Sequence, residues 1–328
     1  MFQTETYAIT LFFMLFSMLC WGSWANSLKF CPGYRFQLFY WDYVIGLFVG
    51  VLAWGFTLGS LGSHGLPFVS DILHTDTRHI LLALAGGVIF NIANLLLVAA
   101  IDIAGLAVAF PVGIGLALVI GAVSNYILAP AGNPILLFGG VAIVIVAIVF
   151  DAAAYRAREK QRGVTTRGVL LSLISGVLMG SFYPFVARAM IGHRAAGPYA
   201  VSFYFVIGVI LCALVANTIF MRRPIDGGKP VSFRGYLQAD HMWHLWGVIG
   251  GAVWATGAIL NFVASRTVIV GPAVSYSIGQ GATMISACWG VFIWHEFSSA
   301  SRKSKVYLAC MFVFFLCGLT AIAVAPVF

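Results

Sequence analysis

Apolar residues run along this chain in blocks of twenty or so, each closed by a short polar or basic stretch. An α-helix rises 1.5 Å per residue, so about 20 apolar residues cross the hydrocarbon core of a bilayer. Blocks at 7–28, 38–60, 80–101, 104–128, 134–152, 168–190, 198–221, 243–264, 268–293 and 304–326 predict ten membrane-spanning helices. A very short turn around Asp102 makes the third and fourth a tight hairpin. Connections 61–79 and 222–242 mix apolar with polar residues ("LPFVSDIL", "KPVSFRGYL"), the pattern of short interfacial helices. The first block is too long for the apolar region of a cleavable signal and has no Lys or Arg before it, so it is expected to remain in the mature protein.

Composition agrees with the pattern. Of 328 residues, 61% are hydrophobic and 9% charged, with a mean hydropathy of +0.99. Soluble domains carry about 25% charged residues. The net charge of +8 does not point to nucleic acid, because the basic residues lie between the apolar blocks. Fourteen of the 18 Lys and Arg fall in the connections after the first, fifth, seventh and ninth blocks. Arg78, Arg188, Arg194 and Arg266 lie on the other side. Basic connections stay in the cytoplasm, which puts both termini outside it, in a multi-pass cell-membrane protein. Six cysteines without CxxC spacing read as small buried hydrophobes, and no cofactor or metal motif stands out.

The two halves echo each other. Gly22-Ser23-Trp24 matches Gly180-Ser181-Phe182, Val44-Ile45-Gly46 matches Val206-Ile207-Gly208, and Gly86-Gly87 matches Gly250-Gly251, at offsets of 158, 162 and 164. With five spans in each copy, the second must enter the membrane from the opposite side. The expected fold is therefore an all-α membrane protein of two inverted repeats, 1–152 and 168–328, joined by a cytoplasmic linker, 153–167. Such pairs build carriers whose site lies near the midplane. Ser23 and Ser181 either face that site or only help to pack helices.

Polar residues at membrane depth are the candidate chemistry. Asp42, in "FYWDYVIG", is costly there and must be partnered or protonated, as a proton-coupling acid or as a structural pair with Lys29. Asn91 and Asn94 share a helix face in the third span, Gln280 is central in the ninth, and Asn261 and Thr256 lie in the eighth. Buried amides either bridge helices or bind solute; Asn94 and Gln280 are the foremost ligand candidates. Trp24, Tyr183 and Tyr276 could wall a cavity. Pro111 and Pro272 are expected to interrupt the fourth and ninth spans. His295-Glu296 has Ser299 where a zincin would have its second histidine, so a pair at the helix end is expected instead. With neither that motif nor GxSG present, an enzyme is not expected, and no charge ring suggests a channel.

At "YWDYVIGLFVGVLAWGFTLGSLG" and "LLALAGGVIFNIANLLLVAAIDIAGLAVA" the sequence resembles the ureide permease family, within the drug/metabolite transporter superfamily. "RPIDGGKPVSFRGYL", "GGAVWATGAILNF" and "WGVFIWHEFSSASRKSKVYLACM" extend the likeness in order along nearly the whole chain. The resemblance implies a ten-helix, proton-coupled importer of allantoin, uracil and related oxo-heterocycles, and it carries an Asp at the Asp42 position. More distant relatives carry rhamnose or glucose and ribose, and others in the superfamily are exporters. The long central loop of the plant members is a short linker here, and the fourth span reads "VAFPVGIGLALVIG", with a proline the family lacks. Expected partners are a small neutral solute, a proton and the bilayer, with a monomer sufficient. Amides and aromatic faces without Lys or Arg at that depth favour a ureide or pyrimidine over a sugar.

Overall fold

The computed structural model describes residues 1–104, 109–158, 165–225 and 228–328, and among them only helices, turns and irregular segments occur. The side chains of Asp102 and Pro111, and 159–164 of the linker, lie outside the described residues. Among the described residues eight helices are long and apolar enough to cross a membrane. They are α1 (Tyr7–Ser23, continued by a 3₁₀ segment to Phe30), α2 (Phe36–Phe56), α4 (Thr77–Ala104), α6 (Pro134–Arg158), α7 (Thr166–Ala189), α8 (Pro198–Arg222), α10 (His241–Ser265) and α13 (Arg302–Val324). The short helices α3 (Phe68–His74) and α9 (Phe233–Leu237) lie in the two connections that mix apolar with polar residues.

The other two blocks are built from shorter pieces. One is a π-turn (Phe110–Ile114) running into α5 (Gly115–Leu128). The other is α11 (Gly271–Gly279), α12 (Ala282–Cys288) and a second π-turn (Trp289–Ile293). Pro272 does not break this span: it sits in the first turn of α11, where its missing N–H costs nothing. The break falls instead at Gln280-Gly281.

Helix starts are set by polar residues between the blocks. The side chains of Thr6, Thr165, Asp240 and Ser301 accept from Ile9, Gly168, Met242 and Ser304 backbone N–H, capping α1, α7, α10 and α13. α6 runs past the expected end at 152, to Arg158. The tightening at the end of α1 also has a local cause. Asn26 Nδ2 and Ser27 Oγ reach the carbonyls three residues back, at 3.1 and 2.6 Å, reinforcing the i→i+3 winding of Trp24–Phe30.

Lipid tails give no hydrophobic drive between helices, so close van der Waals approach does the work, and small residues permit it. A Cβ on Gly46 would meet the Val248 carbonyl, and one on Gly251 the Tyr43 carbonyl, where α2 crosses α10. A Cβ on Gly208 would meet the Leu84 carbonyl, and one on Gly87 the Phe205 carbonyl, where α8 crosses α4. Gly22 of α1 is pressed against Ala282 and Ile285 of α12, and Gly180 of α7 against Ala117 and Ile120 of α5. α6 and α13 pack on each other through Gly140 and Gly318.

Candidate functional site

A cavity of about 290 Å³ lies among α1, α4, α7, α10 and the α11–α12 break. Trp21, Trp24, Phe90, Phe182 and Trp254 form its walls; Asn94, Gln280, Thr283 and Ser286 are its polar side chains. Among the described residues no Lys, Arg, Asp, Glu or His lines it. Phe90 and Trp254 meet at 4.5 Å between ring centroids with their planes tilted by 40°, Trp21 stacks on Trp254 at 5.7 Å, and Trp254 lies nearly parallel to Phe205 at 5.9 Å. Beyond that layer Phe205, Tyr183, Tyr276 and Phe262 are fully buried and in mutual ring contact, so the interior is filled there. On the Leu28 side a second cavity of about 440 Å³, lined by Tyr34, Arg35, Gln37, Leu95 and Phe220, shares Phe36 and Val98 with the first.

Three of the sequence-derived candidates, Trp24, Asn94 and Gln280, line this cavity. Gln280 stands at the α11–α12 break between two glycines, and its side-chain amide has no protein partner among the described residues. The Asn94 amide donates only a long bond, 3.4 Å, to Tyr40. The other candidates hold helices together. Asn91 accepts from Tyr40 at 2.8 Å and Thr256 from Trp54 at 2.8 Å. Tyr183 donates to Asn261 at 2.5 Å, and Tyr276 to the Ala117 carbonyl at 3.1 Å. Asn261, also bonded both ways to Ser275, ties α10 to α11.

Phe182, the counterpart of Trp24 in the Gly-Ser-aromatic repeat, lines the cavity too; the residues not singled out from sequence are Trp21, Phe90, Trp254, Thr283 and Ser286. A signal for two of them was present: Phe90 and Trp254 are 164 apart, the same offset as Gly86-Gly87 and Gly250-Gly251.

Below the cavity the 3₁₀ segment and the second π-turn are joined by three polar contacts. Trp289 Nε1 donates to Ser23 Oγ at 2.9 Å, Trp294 Nε1 donates to Asn26 Oδ1 at 2.6 Å, and Lys29 forms an ion pair with Glu296. A 3₁₀ helix has three residues per turn, so Ser23, Asn26 and Lys29 fall on one line. Ser23 is therefore a packing residue, and Ser181 donates to its own helix at Val177. His295 takes a left-handed φ of 50°, unfavourable for a residue with a Cβ, as the chain folds Glu296 N–H back onto the Gly290 carbonyl at 2.8 Å. Burial alone would raise the Glu296 carboxyl. Lys29 and Arg158, the latter at 3.1 Å, outweigh it and hold the carboxyl below its usual range. The expected helix-end pair at Glu296 is present.

Lys29 thus belongs to Glu296, and Asp42 has other partners. Its carboxylate is buried and accepts from Tyr34 Oη at 3.0 Å and Tyr236 Oη at 2.6 Å, with His244 Nδ1 at 2.9 Å. Tyr34 lies in the α1–α2 connection, Tyr236 on α9 and His244 in the first turn of α10, so four chain segments converge on one acid. Burial, then the Asp42 charge, pushes the Tyr34 phenol far up; burial and the hydrogen bond to Asp42 do the same to Tyr236, which keeps both as donors. Among the described residues no group of His, Cys, Asp and Glu is arranged to hold a metal.

The sequence profile of the family described as "Ureide permease" matches residues 39–167 and 164–325. Ureide permease 2 of Arabidopsis thaliana is 24% identical across 92% of this chain and 93% of its own. Ureide permease 1 of the same plant is 23% identical across 96% of each chain, and a probable ureide permease A3 of Vigna unguiculata 22% identical across 89% and 96%. These relatives are named as permeases, transporters rather than enzymes. A solved crystal structure superimposes on 95% of this chain and 96% of its own with a TM-score of 0.63 at 16% identity, a likeness of fold.

Proposed function

The chain belongs to the ureide permease family, and from that premise we propose that it takes up a small neutral ureide or nucleobase, such as allantoin or uracil, with a proton. The observation that carries the reading is the aromatic-walled cavity of about 290 Å³, lined among the described residues by uncharged side chains, with a Gln280 amide that has no protein partner among them. A charged solute would need a counter-ion there. A flat ring can lie against Trp21, Trp24, Phe90 or Trp254 at about 0.5–1.5 kcal/mol per contact beyond burial, while its C=O and N–H groups exchange water for Asn94, Gln280, Thr283 and Ser286. Coupling runs through the Asp42 cluster, whose Tyr34 lines the second cavity.

Two repeats, 1–152 and 168–328, flank the linker 153–167 in this reading, and the broken fourth and ninth spans complete ten crossings. The glycine crossings support it, because they exchange under the offsets found in the sequence. Gly46 against Gly251 (second span on eighth) corresponds to Gly208 against Gly87 (seventh on third), and Gly22 on the ninth span to Gly180 on the fourth. Helices α3 and α9 follow the second and seventh spans alike. With the termini outside, the cavity faces the cytoplasm through the Tyr34-lined vestibule, and the buried aromatic layer closes the external side.

Proteoliposome uptake with and without an imposed proton gradient tests the function. Saturable allantoin or uracil uptake that glucose and rhamnose do not compete is expected. Monosaccharide uptake that neither allantoin nor uracil competes would replace the reading with a sugar carrier, and net efflux alone with an exporter.

A further inference from the structure

We propose that His244 is the group that holds the coupled proton, with Asp42 as its fixed counter-charge and Tyr34 as the link from that charge to the vestibule through which solute leaves. This deepens the reading of the chain as a proton-coupled carrier and rests on it.

The argument starts from hydrogen-bond accounting around Asp42. Tyr236 Oη and His244 Nδ1 both reach Oδ1, and Tyr34 Oη reaches Oδ2. Phenols donate to a carboxylate, so the third contact, at 2.9 Å, places the hydrogen of His244 on Nδ1. The ring's remaining lone pair is then on Nε2. The His244 side chain is 27% exposed against 2% for Asp42, so the imidazole, not the carboxylate, is the member of the pair that solvent reaches. Histidine is also the side chain suited to exchanging protons between pH 5 and 8.

A proton added at Nε2 converts the pair from a net charge of −1 to neutral, with no other bond made or broken. The groups packed around it do not duplicate this role. Tyr34 and Tyr236 stand edge-on to the imidazole at 6.0 and 4.6 Å and stay protonated. Cys31, raised to about 11 by burial and Asp42, rests its Sγ 3.7 Å from the Trp243 carbonyl. Asp240 and His241, on the same helix, are exposed and pair with each other.

The pair is also wired to the route. Tyr34 gives its hydroxyl to Asp42 and lines the 440 Å³ vestibule, whose Phe36 and Val98 it shares with the central cavity. With His244 neutral, the uncompensated Asp42 charge pulls harder on the Tyr34 and Tyr236 hydroxyls and draws the 31–35 connection and α9 against α2. Protonation relaxes that pull.

A solute-independent readout tests this. A single cysteine at Val98 (V98C, other cysteines replaced) is labelled with a charged maleimide in inside-out vesicles at pH 6 and pH 8. The labelling rate is expected to differ at least threefold between the two pH values, and His244→Gln or His244→Asn to abolish that difference. In proteoliposomes the same variants are expected to lose the gain in allantoin accumulation that an imposed proton gradient gives. Equal labelling at both pH values in the V98C background, or a full gradient effect in His244→Gln, overturns the proposal. PH-dependent labelling that requires His244, in a protein that moves neither allantoin nor uracil, would keep the switch and discard the ureide reading.

Discussion

Replacing Gln280 by Leu removes the amide at the α11–α12 break while nearly keeping its volume. The wild-type amide has no protein partner among the described residues, so the substitution orphans nothing inside the protein, and its cost falls on the solute. A hydrogen bond contributes about 0.5–1.5 kcal/mol net, and a buried group left unpaired costs about 1–3 kcal/mol. One solute group losing its partner in a cavity of this size should therefore cost about 1.4 kcal/mol, a factor of ten in affinity. The assay is initial-rate counterflow of labelled allantoin across a concentration series, with thermal unfolding followed in parallel. The apparent KM is expected to rise about tenfold, with kcat and Tm near wild type, because the lost interaction serves ground state and transition state alike. Thr256→Val is the control: it strips the acceptor from Trp54 outside the cavity, so it should lower Tm and leave KM within twofold. A Gln280→Leu KM within twofold of wild type would refute the assignment of the cavity as the solute site.

At Glu296 the carboxyl is held below its unfolded value, so its contribution to stability is complete above that value and disappears as pH falls through the depressed one. Glu296→Gln should lower Tm at neutral pH and shrink the loss of Tm on acidification to pH 3; an unchanged acid dependence would separate the pair from stability. Single cysteines near His74 and Arg158 should react with an impermeant reagent in intact cells only at the His74 site, and labelling near Arg158 instead would reverse the topology. Gly46→Val should separate α2 from α10 and strongly reduce folded protein, since the opposing Val248 carbonyl is backbone and cannot step aside; normal yield and Tm would show that the crossing tolerates a wider spacing.

The spans were legible because a bilayer makes apolar length a direct statement about structure, and eight of the expected blocks appear as long helices. The breaks were less so. Pro272 drew attention to the ninth span, yet the discontinuity falls at Gln280-Gly281, because proline is harmless in a first turn while paired glycines loosen a midspan. Of the candidate site, Trp24 could be read from the repeated Gly-Ser-aromatic stretch, and Asn94 and Gln280 from depth. Depth could not separate them from Asn91, Tyr183, Tyr276 and Thr256, whose hydrogen bonds are spent on other helices. Which way a polar side chain turns depends on packing between segments far apart in the chain. The same distance hid the partners of Asp42, since Tyr236 and His244 come from about 200 residues further on.

The seven-residue 3₁₀ segment at the end of α1 is a store of length. Its rise of about 2.0 Å per residue exceeds that of an α-helix by about 0.5 Å, so rewinding Trp24–Phe30 would shorten the first span by about 3.5 Å. Rewinding would also turn each residue by about 20° less than before, swinging Lys29 by roughly 120° relative to Ser23. The line of Ser23, Asn26 and Lys29 would become a spiral that Trp289, Trp294 and Glu296 could no longer follow together. The length of the first span and the register of these three contacts are thus fixed together by one stretch of winding.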